Sequence, residues 1–343
     1  MSDWLIYGAN GYTGELVARL AVARGERPIL AGRNRSAVAA LAGELGLDHR
    51  VADLRDPVAV AAMLDGVRAI AHCAGPFSDT SDPVVRACLA HGVHYVDITG
   101  EIDVFDAVFA RHDEAVAARV VLLPGAGFDV VPTDCLAARL HAELPTATSL
   151  ELAIRVGGGP SRGTALTGLN GLADGNRIRR DGVLISSPQG HPRRRVPLPS
   201  GEREVGAIRW GDLATAYRST GIPNITTYMA LPGGGRGAGL SSVLTLGPLR
   251  SLAARVVRSR MTGPDPALRA RTTCEVWGEV RDAAGGIATA SLVGPNAYDL
   301  TADSVVRATR LLLDGVAAPG AHTPSSAFGA DYVGTLDGVR VTA

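Results

Sequence analysis

The chain has 343 residues, of which 46% are hydrophobic, and its 34 basic and 34 acidic side chains give a formal net charge of zero. This length allows two domains or one large one, and the neutral balance gives no electrostatic reason to expect a nucleic acid or an anionic membrane as partner. Every basic residue is arginine, which excludes Schiff-base, pyridoxal-phosphate and phosphate-loop lysines and the Tyr-x-x-x-Lys pair of many carbonyl reductases.

A glycine turn follows the first predicted strand, residues 4–7, and precedes a helix. In such a turn the first glycine allows the bend, the second lets the backbone approach a pyrophosphate, and the third packs the helix against the sheet. The helix N-terminus also attracts anions. The spacing is G-x-x-G-x-x-G, yet its place between strand and helix favours dinucleotide binding over an ordinary turn. The predicted contacts are Gly8, Asn10, Gly11, Tyr12, Thr13 and Gly14.

The second predicted strand, residues 28–31, indicates which nucleotide is bound. Arg33 lies where an NAD site carries an acid for the ribose 2′-hydroxyl, and Arg35 follows it. Two guanidinium groups suit a 2′-phosphate, although both could also be solvated loop charges. The sequence therefore predicts NADP(H) as cofactor. Ser36 is the predicted cap of the helix that ends at Leu45.

Four further strands are predicted at residues 49–52, 69–73, 94–98 and 120–123, with Pro57 starting the helix after the first of them. Because ligands bind beyond the carboxyl ends of parallel strands, their turns should converge on one crevice. We expect Asp53 on the adenine side and Ala74, Gly75 and Pro76 beside the nicotinamide ribose.

The pattern changes near Pro145, where alternating apolar and polar residues predict antiparallel strands, including 150–156, 272–280 and 287–293. Residues 240–257 are predicted to form a surface amphipathic helix or lid. A last helix is predicted at 302–313, with Thr301 as its cap. We predict an α/β fold: a Rossmann-type doubly wound parallel sheet over residues 1–140, a second α+β, mostly antiparallel substrate domain over 141–295, and a C-terminal helix and tail, 296–343, returning to the Rossmann domain.

The four cysteines are widely spaced, and no Cys/His cluster has zinc-ligand spacing, so no metal is predicted. The N-terminus has no signal-like segment and no apolar run reaches spanning length. We expect a reduced, cytoplasmic protein with no integral membrane segment.

The catalytic residues are less sharply indicated than the cofactor site. Asp97 and Asp129 are expected near the crevice, where either could act as an acid, but they could equally form hydrogen bonds in turns and helix caps. Tyr217 is the tyrosine we expect as proton donor, although an aromatic residue in an alternating segment is more often core. The proposed substrate contacts are Ser161, Arg162 and Thr164, which could instead satisfy loop backbone groups.

Several segments resemble one family. GANGYTG, AGR, AGPF, YVDITGE and GFDVVPTD, together with segments 161–164, 215–223, 263–264 and 323–329, are similar to saccharopine dehydrogenase-like oxidoreductases. They resemble the trans-acting enoyl reductase branch more than the lysine-pathway enzymes. The resemblance covers nearly the whole chain, and it is more specific for the fold and the NADP-type site than for the substrate.

This resemblance implies an interrupted Rossmann domain and reduction of a C=C or C=N bond in a small metabolite, free or linked to a carrier, in secondary metabolism. Two alternatives stay open: a redox-neutral isomerase or cyclase with tightly held NADP(H), and a non-catalytic NADPH-binding protein. The expected partner is a small-molecule substrate, and a homodimer is one open assembly state.

Overall fold

The computed structural model describes residues 3–171, 175–230, 251, 253–257 and 261–342. The chain forms two compact units. The first contains Met1–Val131 and Tyr298–Tyr332, and the second contains Pro132–Ala297 and Val333–Ala343. The second unit thus interrupts the first, and each has its own sheet.

The sheet of the first unit is parallel and follows the order β15-β6-β5-β4-β1-β2-β3 in the described chain. Its central strands are buried on both faces, as the continuous apolar runs of the sequence require. The strands are β1 (Trp4–Tyr7), β2 (Ile29–Gly32), β3 (His49–Val51), β4 (Ala69–His72), β5 (His94–Asp97), β6 (Val121–Leu123) and β15 (Gly320–Ala321). The predicted Rossmann-type sheet is confirmed.

Helices connect these strands, and short polar side chains begin two of them. The side chain of Asn34 accepts a hydrogen bond from the amide of Ala37, so Asn34 and not Ser36 caps α2. Asp56 caps α3, and Pro57 occupies its first turn as predicted. The helices are α1 (Tyr12–Ala23), α2 (Arg35–Leu45), α3 (Pro57–Leu64), α4 (Phe77–His91), α5 (Ile102–Phe109) and α6 (His112–Ala118).

The chain returns to the first unit through α11 (Ala297–Leu313), α12 (Pro324–Phe328) and a 3-10 helix at Ala330–Thr335. The predicted apolar face of α11 is buried, with Val305 fully enclosed. Thr301 is not its cap, because the helix starts at Ala297 and the Thr301 hydroxyl accepts a hydrogen bond from the amide of Phe128 at 2.9 Å.

The second unit is built on a mixed sheet with the order β10-β11-β12-β7-β13-β14-β16 in its described part, with β8 paired to β12 and β9. The pairing of β7 with β12 is parallel, and the others are antiparallel. The strands are β7 (Ala147–Val156), β8 (Asn176–Arg180), β9 (Val183–Ser187), β10 (Arg193–Leu198), β11 (Gly201–Ala207), β12 (Asn224–Ala230), β13 (Cys274–Asp282), β14 (Ile287–Gly294) and β16 (Arg340–Thr342).

Its helices are α7 (Val131–Glu143), α8 (Arg162–Gly171), α9 (Asp212–Thr220) and α10 (Pro266–Arg271). Tyr217 therefore lies on a helix, whereas the sequence pattern suggested an alternating segment. Leu136 and Leu140 of α7 pack so tightly on Gly278 that an added Cβ there would lie 2.8 Å from Leu140 Cδ1.

The unit boundaries differ from the expected domain limits at two points. Helix α7 groups with the second unit because its leucines pack on β13, and the tail from Val333 does so because β16 pairs with β14. The expected helix or lid at 240–257 lies largely outside the described residues. Within the described part, no helix is long and apolar enough to cross a bilayer, and no group of three acidic, His or Cys side chains is placed to hold a metal.

Candidate functional site

The glycine turn leaves β1 with a geometry that only glycine tolerates at its two ends. Gly8 has φ of +83°, and a Cβ there would lie 2.8 Å from the Cβ of Ala74. A Cβ on Gly14 would lie 2.9 Å from the carbonyl carbon of Gly8 and closer still to its oxygen. At Gly11 the space is open apart from the Gly8 oxygen at 3.1 Å. Of the three glycines, Gly8 and Gly14 are therefore closely packed, and the space beside Gly11 is open.

Hydrogen bonds hold this turn against the neighbouring strand. The amides of Gly8 and Ala9 donate to the carbonyl of Ala31 at 2.8 and 3.1 Å, and the amide of Gly11 donates to Gly8. The side-chain oxygen of Asn10 lies 3.0 Å from where a Cβ of Gly32 would stand, so Asn10 lies against the end of β2. The turn is consequently preorganised rather than loose.

The first residues of α1 complete this end of the site. Gly11 is the N-cap, and Tyr12 and Thr13 are the first helical residues. The Tyr12 ring packs edge-on against Tyr298, with centroids 4.9 Å apart. Gly11 has no side chain that could cap the helix, and this suits the approach of an anion to the helix N-terminus.

Two arginines and an aspartate surround the ends of β2 and β3. Arg33 and Arg35 are exposed, and Arg35 is the first residue of α2. Asp53 forms an ion pair with Arg55 at 2.6 Å, which holds the pKa of its carboxyl well below the usual range. Burial raises the pKa of the Tyr7 phenol, at the end of β1, to about 12, and Arg33 and Asp53 both act on it electrostatically. Arg33 and Asp53 therefore belong to one local cluster.

The turn after β4 contains Ala74, Gly75 and Pro76 and leads directly into α4. Glu101 caps this helix from outside: its two carboxylate oxygens accept hydrogen bonds from the amides of Phe77 and Ser78 at 2.8 and 3.0 Å. A carboxylate at a helix N-terminus is favoured by the helix dipole. Glu101 thus fixes the turn, and its carboxylate is engaged by the backbone.

Asp97 is buried at the end of β5 and holds three groups together. Its carboxylate accepts hydrogen bonds from the Tyr95 hydroxyl at 2.6 Å, the Thr99 amide at 2.9 Å and the Gly125 amide at 2.8 Å. Burial raises the pKa of Asp97 to about 6 although these donors oppose the rise. These bonds tie the turns after β5 and β6 to each other.

Asp129 lies beside the turn after β5. A Cβ on Gly100 would lie 2.8 Å from its Oδ2, so the carboxyl is packed against the Gly100 backbone. Burial raises the pKa of Asp129 to about 6. The preceding amide, that of Phe128, is held by Thr301. The segment that carries Asp129 is therefore anchored on α11.

His72 is fully buried at the end of β4, and burial lowers the pKa of its imidazole to about 3, so the ring is neutral. Its Nε2 lies 3.0 Å from the Thr80 hydroxyl. The single proton of that hydroxyl is directed at the carbonyls of Ala74 and Pro76, 2.7 and 2.9 Å away, which assigns the proton of the His72–Thr80 contact to Nε2. The ring packs among Tyr7, Phe77 and Tyr95. His72 thus supports the turn after β4 as a core residue.

The remaining candidates belong to the second unit. Ser161 is buried and its hydroxyl accepts from the amide of Thr164 at 3.3 Å at the start of α8, whereas Arg162 and Thr164 are exposed. The Tyr217 side chain is 36% exposed, and the Arg179 guanidinium stands 4.1 Å above its ring centroid. The local roles visible for Ser161 and Tyr217 are a helix cap and a cation–π contact. Neither role tests the predicted functions of these residues.

The structure brings the nucleotide candidates and both aspartates to the carboxyl edge of one sheet. Sequence reasoning missed Thr301 and Tyr298, which reach this edge from more than 150 positions away along the chain. It also missed the Tyr95–Asp97 bond, although their i, i+2 spacing on one strand places both side chains on the same face. The Tyr95–Asp97 bond could therefore have been predicted from the sequence, whereas no local pattern indicates the contacts of Thr301 and Tyr298.

Comparison with known proteins agrees with this geometry. The sequence profile of the saccharopine dehydrogenase NADP binding domain matches residues 4–123. A saccharopine dehydrogenase-like oxidoreductase from Mus musculus is 25% identical over 204 residues, covering 51% of this chain and 47% of that protein. A Mycobacterium tuberculosis protein, named for a proposed trans-acting enoyl reductase activity, is 34% identical over 140 residues, covering 38% of this chain and 33% of its own.

Among solved structures, apo saccharopine dehydrogenase (L-Glu forming) from Saccharomyces cerevisiae aligns over 100% of both chains with a TM-score of 0.68 and 14% identity. This likeness shows a shared fold. The chain spans about half the length of the mammalian relatives it matches, since the alignment covers 47% of them. The match of residues 4–123 to the saccharopine dehydrogenase NADP binding domain confirms the resemblance to saccharopine dehydrogenase-like oxidoreductases and supports NADP(H) as the cofactor.

Proposed function

We propose that this protein is an NADPH-dependent reductase that acts on an activated C=C or C=N bond of a small metabolite, free or linked to a carrier. The observation that carries the proposal is Asp129: a half-buried residue whose carboxyl packs against the Gly100 backbone at the carboxyl edge of an NADP-binding sheet, with its pKa raised by desolvation. Such an acid can deliver a proton, and the chain has no lysine for the tyrosine–lysine route. The name of the mycobacterial relative supports the enoyl class of substrate.

The residues around the glycine turn fit the cofactor. The open side of Gly11 and the N-terminus of α1 would hold the pyrophosphate, with Asn10, Tyr12 and Thr13 beside it. Arg33 and Arg35 would hold the 2′-phosphate through charge-assisted hydrogen bonds. Asp53 would lie on the adenine side, and Ala74, Gly75 and Pro76 would flank the nicotinamide ribose.

When bound, NADPH supplies a hydride to the electron-poor carbon of the double bond. The atom at the other end of that bond then needs one proton, and we assign its delivery to Asp129. With a pKa of about 6, roughly a tenth of Asp129 is protonated at pH 7. Asp97 has a similar pKa, but its carboxylate already accepts from three donors. We therefore assign Asp97 to positioning the turns after β5 and β6.

Tyr217 is the second candidate for proton delivery, and Ser161, Arg162 and Thr164 are the candidates for substrate contacts. A substrate bond polarised by a conjugated carbonyl or an iminium needs only orientation and a weak acid, so no lowered tyrosine pKa is required. The Asp129→Asn and Tyr217→Phe variants separate the two donors, because each removes one acid with little change in shape.

The test is oxidation of NADPH against panels of α,β-unsaturated thioesters, cyclic imines and simple ketones, with product mass as the second readout. We expect turnover of a thioester or an imine with a gain of two hydrogens. Turnover of simple ketones alone would contradict the assigned reaction class. Inactivity on every panel with tightly bound cofactor would favour a redox-neutral enzyme or a non-catalytic NADPH-binding protein instead.

A further inference from the structure

One cavity in the second unit is lined by an arginine from each of two arginine-rich strands, β8 and β10. The cavity has a volume of about 350 Å³ and lies where β7, β12 and β13 run side by side. Arg180 comes from β8, Arg194 from β10 and Arg281 from the end of β13. Three guanidinium groups from three strands therefore line one space.

Two glutamates that line the cavity, Glu151 on β7 and Glu279 on β13, neutralise only part of this positive charge. Arg194 pairs with Glu151 and, at 3.3 Å, with Glu279, while the Arg281 Nε donates to Glu279 at 2.8 Å. Glu151 is further held by the Tyr228 hydroxyl at 3.0 Å. Two carboxylates thus match two of the three arginines, which leaves one positive charge in excess.

Arg180 carries that excess charge. No carboxylate lies within ion-pair distance of it among the residues that the structure describes. Its charge reaches the cavity all the same, because it acts together with Arg194 on the phenol of Tyr228. Arg281 hydrogen-bonds Glu279 through Nε, and its two terminal nitrogens make no hydrogen bond to a carboxylate among the described residues. Donors with a fork geometry are therefore available at the rim.

We propose that this cavity binds a small organic anion through a carboxylate or phosphate group, held by Arg180 and Arg281. The guanidinium fork matches the paired oxygens of both groups. The volume is at the lower end of the range for ligand pockets, so it accommodates the anionic group with a short organic body. The fixed Arg194–glutamate cluster forms a polar floor that disfavours apolar ligands. This site is independent of the proposed reductase activity.

Inorganic phosphate and succinate are suitable probes, titrated at constant ionic strength into the full chain saturated with NADP⁺, so that phosphate sites of the nucleotide domain are already occupied. Arg194 lies 5.0 Å over the Trp277 ring, so tryptophan emission should report occupancy. We expect a saturable change that Arg180→Ala weakens about tenfold or more, as the loss of a charge-assisted contact implies. Arg177→Ala, on the same strand but outside the cavity lining, should leave the affinity unchanged.

The relative affinities of phosphate and succinate identify which anionic group the cavity prefers, and Arg281→Ala should weaken the same probe. Three results would overturn the proposal. These are no saturable change with either probe, a parental affinity in Arg180→Ala, and equal weakening in Arg180→Ala and Arg177→Ala. The last result would mean that general surface charge attracts the anion. Melting curves establish that each variant is folded, which exposed arginines should allow.

Discussion

Replacing Gly11 by valine should abolish cofactor binding and leave the fold intact. The backbone of Gly11 has φ of −83° and ψ of 162°, a region open to any residue. A Cβ at this position meets only the Gly8 oxygen at 3.1 Å, which requires a shift of a few tenths of an ångström. Its free side is the space where the backbone must approach the pyrophosphate.

The two effects differ in size. We expect the free energy of unfolding to fall by at most about 1 kcal/mol, the usual cost of a poor residue at an N-cap. Loss of two charge-assisted backbone contacts to phosphate should cost ~3–6 kcal/mol, or roughly two to four decades in affinity. NADPH binding measured by calorimetry and stability measured by urea unfolding therefore separate them.

Gly14→Ala is the matched control, because it should show the opposite imbalance. Its Cβ would collide with the backbone of Gly8, so α1 must move away from the turn and the protein loses ~1–3 kcal/mol or more of stability. If Gly11→Val binds NADPH as tightly as the parent, the turn is not the pyrophosphate site. If it unfolds the protein as Gly14→Ala does, the distinction between the two glycines is wrong.

Three further results are expected. Arg33→Ala should weaken NADPH binding by roughly one to two decades in calorimetry and leave NADH binding unchanged; equal affinities in variant and parent would refute the 2′-phosphate contact. Because the pKa of Asp129 is about 6, kcat/KM of the parent protein should fall as pH rises above 6. The Asp129→Asn variant should lose activity and this dependence on pH. A variant with the pH profile of the parent would exclude Asp129 as the acid. A chain ended after Pro295 should be insoluble or fail to bind NADPH, since it lacks the Asp303 partner of Arg24 and the β15 strand paired with β6; a soluble, NADPH-binding product would contradict this.

Six of the seven strands of the first sheet were predicted, most of them as apolar runs bounded by turns, whereas the two-residue β15 was not. The expected strand at 94–98 is observed at His94–Asp97, and the glycine turn follows β1 as expected. The hairpin of β13 and β14 was equally predictable from its alternating pattern, and its turn lies between the two predicted strands, 272–280 and 287–293. In these elements local pattern and tertiary environment agree, which is the condition under which sequence reasoning succeeds.

One of the errors arose where a distant contact overrides a local signal. Thr301 has the residue type of a cap, but α11 begins at Ala297 and the Thr301 hydroxyl accepts a hydrogen bond from the Phe128 amide instead. Ser36 was the predicted cap of α2, but the observed cap is Asn34, two residues earlier, whose side chain is equally suitable. Tyr217 lies on a helix in a segment whose alternation suggested a strand. Each case involves a polar or aromatic residue with two acceptable local roles.

Asp97 and Asp129 show why the site itself was harder to predict than the fold. Both follow or end a strand, and burial raises both pKa values to about 6, so residue type, position and acidity do not distinguish them. Three donors engage the Asp97 carboxylate and tie it to the turns after β5 and β6, which is the basis for assigning it a positioning role. A raised pKa in the folded state means that stability is present in acid and is lost as pH rises through about 6. Asp97→Asn should therefore remove a fall of roughly 2 kcal/mol in the free energy of unfolding between pH 4 and 7, measured by urea titration, while the pH profile of activity keeps its slope. A variant that instead loses that slope would make Asp97 the acid and reverse the two assignments.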